Sequence, residues 1–265
     1  GDPDTQVERW CTHVAPMGIS EMPEPCGIFP VYSDFEAAVH PSNLATEPAN
    51  QEVTPAEDDL EAVAEMEDMV RRGWIKKFGS KHSAKRFVGG RLVTSRLFVI
   101  KKAKRAKDKR GRWVEKVKRR LLLDLKASGV SAASVKCERV VLPRVLDVVF
   151  DGLELLKAQR RRSRSTSLRH LVLDFRHCFY HFPVSPKEQR FLAARLANNW
   201  YVWVRATQGS RGAPLVSGRG IAQAMRLALS VAPLDRARSS TYVDDPLMSF
   251  AGSDHENNRN ISKVV

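Results

Sequence analysis

Three aspartates occupy positions where carboxylates could hold metal ions for chemistry on phosphates. Asp174 follows the apolar residues 171–173, and Asp244 and Asp245 are adjacent in a second strand-like segment. Adjacent carboxylates repel each other, and Mg²⁺, which prefers oxygen ligands, relieves that repulsion. Two such ions can stabilise the attacking and leaving oxygens of a phosphoryl transfer. For Asp244 and Asp245 alone, an ordinary turn is the structural alternative, because aspartate is common in turns.

The flanking sequence predicts the elements that would position these carboxylates. Apolar alternation and turn residues predict strands over 92–100, 113–125 and 170–175, two short strands over 191–204, and a hairpin over 241–250 with its tip at Asp244 and Asp245. Helical spacing predicts helices from the capping residues Thr54, Pro55 and Glu57 to Gly73, from 145 to 156, and from 214 to 230. Gly218 and Gly220, inside the last of these, suggest the close approach of another backbone.

Charge is distributed very unevenly along the chain. Of its 265 residues, the first 70 hold 16 acidic residues and one basic residue, whereas the rest hold 43 basic and 14 acidic residues. The strong positive charge of residues 71–265 predicts that this part of the chain binds a polyanion. The loop predicted at 101–112 would contact phosphates as a hairpin tip, with a solvated turn as the alternative; its cations include Lys101, Lys102, Lys104, Arg105, Lys107, Lys109 and Arg110.

Composition limits the class of protein. A hydrophobic fraction of 43% and a charged fraction of 28% exclude collagen-like, coiled-coil and wholly disordered chains. The sequence has neither a transmembrane-length apolar run nor a signal-peptide pattern, so we expect an intracellular protein without membrane contact. Its four cysteines are scattered, which predicts neither a disulfide framework nor a zinc finger. Residues 1–53 contain recurrent prolines and predict an irregular acidic segment that is solvated, with shielding of a basic groove as the alternative.

Four motifs in order resemble reverse transcriptases, especially those of retrotransposons. Residues 120–125 (RLLLDL) resemble the fingers strand whose arginine binds the incoming triphosphate, and Asp174 with Phe179 resembles the first catalytic motif. Residues 208–214 (QGSRGAP) resemble the motif Q-G-x-x-x-[SA]-P, and residues 242–245 (YVDD) resemble the signature Y-x-D-D. Weaker matches extend the resemblance over about residues 57–252.

The resemblance implies a role for each matched residue. Asp174, Asp244 and Asp245 would be the catalytic residues and would bind two Mg²⁺ ions, for which Mn²⁺ could substitute. The nucleotide would contact Arg120, Phe179, Gln208, Gly209 and Tyr242. The implied partners are an RNA template, a DNA primer and deoxynucleoside triphosphates, because an aromatic at Phe179 would clash with a 2′-hydroxyl. RNA-dependent RNA polymerases, which usually carry a small or acidic residue there, are the weaker enzyme alternative.

The implied fold class is α+β, a right-hand polymerase with fingers over 54–165 and a partial palm over 166–252, followed by a polar tail over 253–265. A thumb has no counterpart in these residues, since 20 residues follow Asp245. His177 and Cys178 replace the aspartate and alanine usual before the aromatic, and Cys178 could crowd the site. With His181 they raise zinc binding as a minor alternative, for which a fourth ligand is missing. The rival to an active enzyme is a truncated, inactive retroelement remnant that binds nucleic acid through its basic surface. The sequence does not indicate an oligomeric state.

Overall fold

The chain folds into mixed α and β structure with three separate antiparallel sheets. A computed structural model describes residues 2–32, 37–46, 56, 59–162, 165–233 and 235–264. Within these ranges the helices are α1 (Gln6–Thr12), α2 (Leu60–Arg71), α3 (Lys81–Phe87), α4 (Val130–Ala133), α5 (Val145–Arg160), α6 (Pro186–Gln189), α7 (Ala213–Ser230) and α8 (Asp254–Val264), with 3₁₀ turns at Pro41–Asn43 and Cys178–His181. The strands are β1 (Ile75–Phe78), β2 (Arg96–Lys107), β3 (Trp113–Asp124), β4 (Ser167–Val172), β5 (Ala193–Leu196), β6 (Asn199–Trp203), β7 (Ala237–Tyr242) and β8 (Asp245–Gly252).

The sheets have the strand orders β1-β6-β5, β2-β3 and β4-β8-β7. The largest apolar cluster joins the first sheet, the base of the β2–β3 hairpin, α2 and the first 20 residues. A smaller cluster lies between α7 and the β4-β8-β7 sheet and includes Cys178, Met225, Met248 and Phe250. None of the helices in the described ranges has both the length and the apolar character needed to cross a membrane.

The two short strands expected over 191–204 are present, but their turn is one residue before the expected position at Asn198 and Asn199. The two strands expected over 191–204 are β5 and β6, joined by Ala197 and Asn198, whose φ angles of +46° and +61° are those of a two-residue hairpin turn with both central residues left-handed. Gly73, expected to end α2, has a φ of +71°, and its N–H donates to the carbonyl of Val70.

The predicted loop at 101–112 is wrong for its first half. β2 begins later than expected, at Arg96, and continues to Lys107, so the turn spans only residues 108–112. The high charge of these residues suggested a loop. In the structure, their backbone pairs with that of β3, so the two-stranded ladder continues through the cationic residues. The result is a ribbon of two 12-residue strands.

The N-terminal segment (residues 2–32) is packed into the molecule, and the expectation of a solvated segment is wrong. Val7, Trp10 and Met17 are buried in the main cluster. The buried carboxylate of Glu188 accepts hydrogen bonds from the backbone N–H groups of residues 17, 19, 20 and 21. The segment is irregular, as its prolines predicted, but several of its backbone N–H groups donate hydrogen bonds to carboxylates of the rest of the chain.

Two helices differ from the sequence prediction at their boundaries. The capping residues Thr54, Pro55 and Glu57 lie outside the described residues, and α2 begins at Leu60, where the Asp59 carboxylate accepts from the N–H groups of Glu61 and Ala62. The polar tail predicted over 253–265 contains α8 instead. The side chains of Ser253 and Glu256 each accept a hydrogen bond from the backbone N–H of the other residue, which caps the start of α8.

Two expectations about helix packing also need correction. α5 forms as predicted, but its apolar residues Val145, Leu146 and Leu153 are exposed, and its buried positions are Gly152, Leu155 and Gln159. In α7 the close approach at Gly220 comes from a side chain: a Cβ there would lie 2.2 Å from Cζ of Phe182. At Gly218 a Cβ would meet only the Val140 methyls, at 3.7 and 3.8 Å.

Candidate active site

The β4-β8-β7 sheet places two of the three aspartates opposite each other. The N–H of Leu173 donates to the carbonyl of Pro246 at 2.9 Å, and the N–H of Phe175 donates to the carbonyl of Asp244 at 2.9 Å. These bonds continue the β4–β8 register, so Asp174 lies directly across from Asp245. The pair falls between two hydrogen-bonded pairs, at the kind of position where opposite residues are closest.

The hairpin tip is one residue earlier than predicted. Tyr242 pairs with Asp245, so the turn consists of Val243 and Asp244, and Asp245 is the first residue of β8. Val243 has a φ of +59°, which is costly for a β-branched residue. Turns of this kind, with only the first central residue left-handed, match the twist of the two flanking strands. The strained turn therefore presents Asp244 at the end of the sheet.

A cleft of about 380 Å³ opens beside this tip. Five separate stretches of the sequence line it: α2 with the Trp74 that follows it, β3, the segment after β4, the loop before α7, and the β7–β8 turn. Five of the eight residues proposed from sequence are among the lining residues, namely Arg120, Asp174, Phe179, Gln208 and Asp244. Asp245, Gly209 and Tyr242 are not, and 56% of Tyr242 is exposed.

Gly209 acts on the cleft through the backbone. Its φ is +98°, and a Cβ there would lie 2.5 Å from the carbonyl oxygen of Leu123 in β3. Only glycine permits both this φ and this close approach. The contact holds the loop that carries Gln208 against the strand that carries Arg120.

Aromatic residues that the sequence reasoning left without a role in this site form one wall of the cleft. The ring of Trp74 is stacked on that of Tyr180, with centroids 4.3 Å apart and planes 2° apart, and the His177 ring is 4.9 Å away. The guanidinium of Arg72 lies 5.0 Å from the Trp74 centroid. The sequence signal was the Gly73-Trp74 pair directly after α2, but sequence spacing did not reveal that it meets residues 177–180.

The cleft is also lined by acids from the N-terminal half of the chain. Glu65 and Asp68, both on α2, lie there with Asp174 and Asp244. Burial, with the charges of Asp68 and Asp59, raises the pKa of Glu65. Hydrogen bonding to Arg72 lowers the pKa of Asp68. The cleft therefore combines carboxylates with the cations Arg120 and Arg176, and Arg72 lies beside its aromatic wall.

His177 and Cys178, which differ from the motif that this segment resembles, both line the cleft but have different surroundings. Cys178 is buried in the smaller cluster under the sheet, and burial, followed by the charges of Asp244 and Asp174, raises the pKa of its thiol to about 11. Burial also lowers the pKa of His177, which is left-handed with a φ of +60°. The His181 ring is hydrogen-bonded to the carbonyl of Arg176. This arrangement offers no support for the zinc alternative.

The three aspartates do not converge on one point. Within the described ranges, no group of three or more His, Cys, Asp or Glu side chains is placed to hold a metal ion. The cleft itself is lined by two of the proposed ligands, Asp174 and Asp244. That pair fits the usual mode of Mg²⁺ binding, in which one or two carboxylates act together with substrate phosphates.

Comparisons with known proteins gave only distant similarities. No family model matches the chain. No curated protein matches it either. Among solved structures, it is similar to the protease-reverse transcriptase of prototype foamy virus, with a TM-score of 0.46 and 16% identity over 95% of this chain and 25% of that one. A second is the foamy viral protease-reverse transcriptase dRH in complex with double-stranded DNA, with a TM-score of 0.44 and 18% identity over 83% and 31% of the two chains. The chain thus spans a quarter to a third of the length of these proteins.

Proposed function

We propose that the protein is an RNA-directed DNA polymerase domain that adds deoxynucleotides to a primer. The observation that supports this proposal most strongly is the shared cleft. Arg120, Asp174, Gln208 and Asp244 belong to four motifs spread over more than a hundred residues, yet they line one cavity of about 380 Å³. Cations for phosphates, carboxylates for metal ions and an aromatic for a sugar are the groups that nucleotidyl transfer needs.

Each lining residue has a role in this proposal. The guanidinium of Arg120 binds the triphosphate, because its planar donors match phosphate oxygens. The Phe179 ring lies under the sugar, and Gln208 contacts the nucleotide. Asp174 and Asp244 hold Mg²⁺ together with the phosphates, and Mg²⁺, when bound, stabilises charge that develops on the phosphate oxygens. Asp245 lies across from Asp174 in the sheet and outside the cleft lining, and the proposal keeps it as a third acid.

The reaction balances as a single displacement at phosphorus. The primer 3′-hydroxyl oxygen forms a bond to the α-phosphorus of the deoxynucleoside triphosphate and loses its proton to solvent water. The bond from the α-phosphorus to the oxygen that bridges to the β-phosphorus breaks, and pyrophosphate leaves. The side chains of this chain contribute positioning and charge, which dominate catalysis of phosphoryl transfer.

The test is incorporation of labelled deoxythymidine triphosphate on an RNA template with a DNA primer, in Mg²⁺ or in Mn²⁺. Asp174→Asn and Asp244→Asn should each reduce incorporation by about a hundredfold or more, because each removes a metal-binding charge. Asp151→Asn, an aspartate on α5 that does not line the cleft, should leave it unchanged. Unchanged incorporation in the Asp244→Asn variant would rule out the mechanism.

A second candidate function is binding of nucleic acid without catalysis. It is favoured by the aspartate geometry, because the described residues form no three-ligand metal group. Calorimetric titration with the Mg²⁺ complex of deoxythymidine triphosphate separates the two candidates, because the phosphates supply the ligands that the two carboxylates lack. Binding heat that disappears in Asp174→Asn supports the polymerase, whereas no binding, combined with strongly salt-dependent RNA binding, supports the non-catalytic protein.

A further inference from the structure

The distal half of the β2–β3 hairpin has a large exposed aromatic and no apolar core beneath it. The two strands pair from Arg96 and Asp124 out to Lys107 and Trp113, and no third strand in the described part of the chain pairs with either of them. At its far end, 68% of Trp113 is exposed, and 49% of Val117 is exposed on the same face. Trp113 and Val117 together form an exposed apolar patch among polar residues, which is the kind of surface that marks an interaction site.

Cations surround this ring. Lys107, directly across the ladder, places its Nζ 5.4 Å from the Trp113 ring centroid. Next to it on the same face lies Arg105, which is exposed and pairs across the strands with Glu115. Residues 101–120 include 12 basic residues and two acids, Asp108 and Glu115. The face therefore combines an aromatic surface with an excess of positive charge.

The turn at the end of the hairpin holds this face in place. The carboxylate of Asp108 accepts hydrogen bonds from the backbone N–H groups of Arg110 and Arg112 at 2.8 and 2.9 Å, and from Nε of Arg112 at 2.9 Å. One of the two acids is thus engaged within the turn. Because the turn is fixed by side-chain to backbone bonds, Trp113 and Lys107 keep their relative positions without a core.

We propose that this face binds single-stranded nucleic acid, with a base stacked on Trp113 and the backbone phosphates held by Lys107 and Arg105. Aromatic rings set among cations are the general solution for binding single strands, because every base has a face that can stack and every linkage has a charge. A duplex hides its base faces, so stacking selects a single strand. Glu115 is the one unfavourable charge on the face.

The position of the hairpin connects this site to the candidate cleft. Trp113 and Arg120 are seven residues apart on β3, about 23 Å at the usual rise per strand residue. Arg120 lines the cleft, whereas Trp113 lies far out along the same strand. Because side chains alternate along a strand, Trp113 and Arg120 project from opposite faces of the ribbon, so a strand bound at Trp113 would have to cross the edge of the ribbon to reach the cleft. Under the proposed function this site holds the template strand before it is copied; the binding itself does not depend on that function.

The test is fluorescence anisotropy of a labelled oligouridine, without divalent ions or nucleotides, so that catalysis plays no part. Trp113→Ala should weaken binding about tenfold, the typical loss of one stacked base, and Trp113→Phe should restore most of it. Trp113→Leu, which keeps apolar bulk without a π-face, should resemble the alanine variant. Phe150→Ala is the matched control, because Phe150 is an aromatic on α5 with 62% exposure, and it should bind as the wild type does.

Salt dependence separates stacking from charge. Trp113→Ala should leave the slope of log affinity against log salt unchanged, whereas Lys107→Gln should reduce it by about 0.7, the value for one phosphate contact on a single strand. Full affinity in Trp113→Ala, full affinity in Trp113→Leu, or an equal loss for duplex RNA would each overturn the inference. A protein that shows the expected losses yet incorporates no nucleotide retains this site and refutes the proposed polymerase.

Discussion

Phe179 is half-buried in the cleft, with its ring against the main apolar cluster. If it lies beneath the sugar, its bulk rather than any hydrogen bond excludes a 2′-hydroxyl. Phe179→Ala should therefore raise incorporation of ribonucleotides relative to deoxynucleotides by about tenfold or more, within the range of discrimination that bulk alone provides. Competition assays with both nucleotides measure the ratio. Phe179→Tyr should keep the wild-type ratio, and an unchanged ratio in the alanine variant would exclude the sugar contact.

The buried position of Cys178 can be tested by the reactivity of its thiol. The thiolate is the reactive form, and a pKa of about 11 leaves roughly one thiol in a thousand ionised at pH 8. Because the pKa of Cys178 is raised, its rate of modification should keep increasing at pH values above those at which an ordinary thiol is already fully ionised. Iodoacetamide at pH 8 should modify the exposed Cys11 far faster than the buried Cys178, as peptide mass spectrometry can measure. Equal rates would contradict the buried position.

At the scale of elements, the contact between the Gln208 loop and β3 should be intolerant of any side chain. Gly209→Ala forces a Cβ toward the Leu123 carbonyl at 2.5 Å and a residue with a side chain into a φ of +98°. We expect a loss of about 2 kcal/mol in the free energy of unfolding, from strain of the backbone. Nucleotide incorporation should fall with it, because Gln208 moves away from Arg120.

Gly27→Ala provides a control for the backbone conformation alone. Gly27 has a φ of +75°, but no atom of the described residues lies within 4 Å of a Cβ built there. Urea unfolding of both variants separates strain from collision. A loss at Gly209 no larger than at Gly27 would show that the Leu123 contact is not tight.

Local signals predicted most of the elements because each depends on nearby residues. The left-handed end of α2 at Gly73 and the span of α7 follow from turn chemistry and periodicity, and the β5–β6 turn lies within one residue of its expected position. α8 was missed although its capping pair, Ser253 and Glu256, is present in the sequence, because the helix has few apolar residues to mark it. The outer half of β2 was missed because its many charged residues are typical of a loop.

Long-range contacts explain what the sequence could not predict about the site. Motif order predicted that Arg120, Asp174, Gln208 and Asp244 belong together, but the aromatic wall depends on Trp74 meeting residues about a hundred positions later. No local pattern encodes that contact. Likewise, the one-residue difference at the hairpin tip, which puts Asp245 into β8, depends on its register with β7 and β4.

At the scale of the whole molecule, the acidic N-terminal segment is joined to the cationic body by buried charge. Asp4 and Arg219 form a two-bond ion pair, with both hydrogen bonds at 2.6 Å and neither side chain exposed. Arg219 also lies 4.5 Å from the Trp10 ring centroid and 3.3 Å from a carboxylate oxygen of Glu138. Local sequence could not reveal this, because the partners are more than two hundred residues apart. Part of the opposite charge of the two parts of the chain is therefore paired inside the fold.

A neighbouring pair of the same geometry allows the effect of burial to be measured. Arg226, also on α7, binds Asp2 through two bonds of 2.7 and 2.8 Å, but 30% and 17% of the two side chains are exposed. Asp4→Asn removes the closest opposite charge from Arg219, which is buried away from water. This variant should therefore lower the free energy of unfolding by about 3 kcal/mol. Asp2→Asn should lower it by less than about 1 kcal/mol, because water can replace the lost interaction. Urea unfolding at constant ionic strength gives both values, and equal small losses would show that the N-terminal segment is not anchored at Arg219.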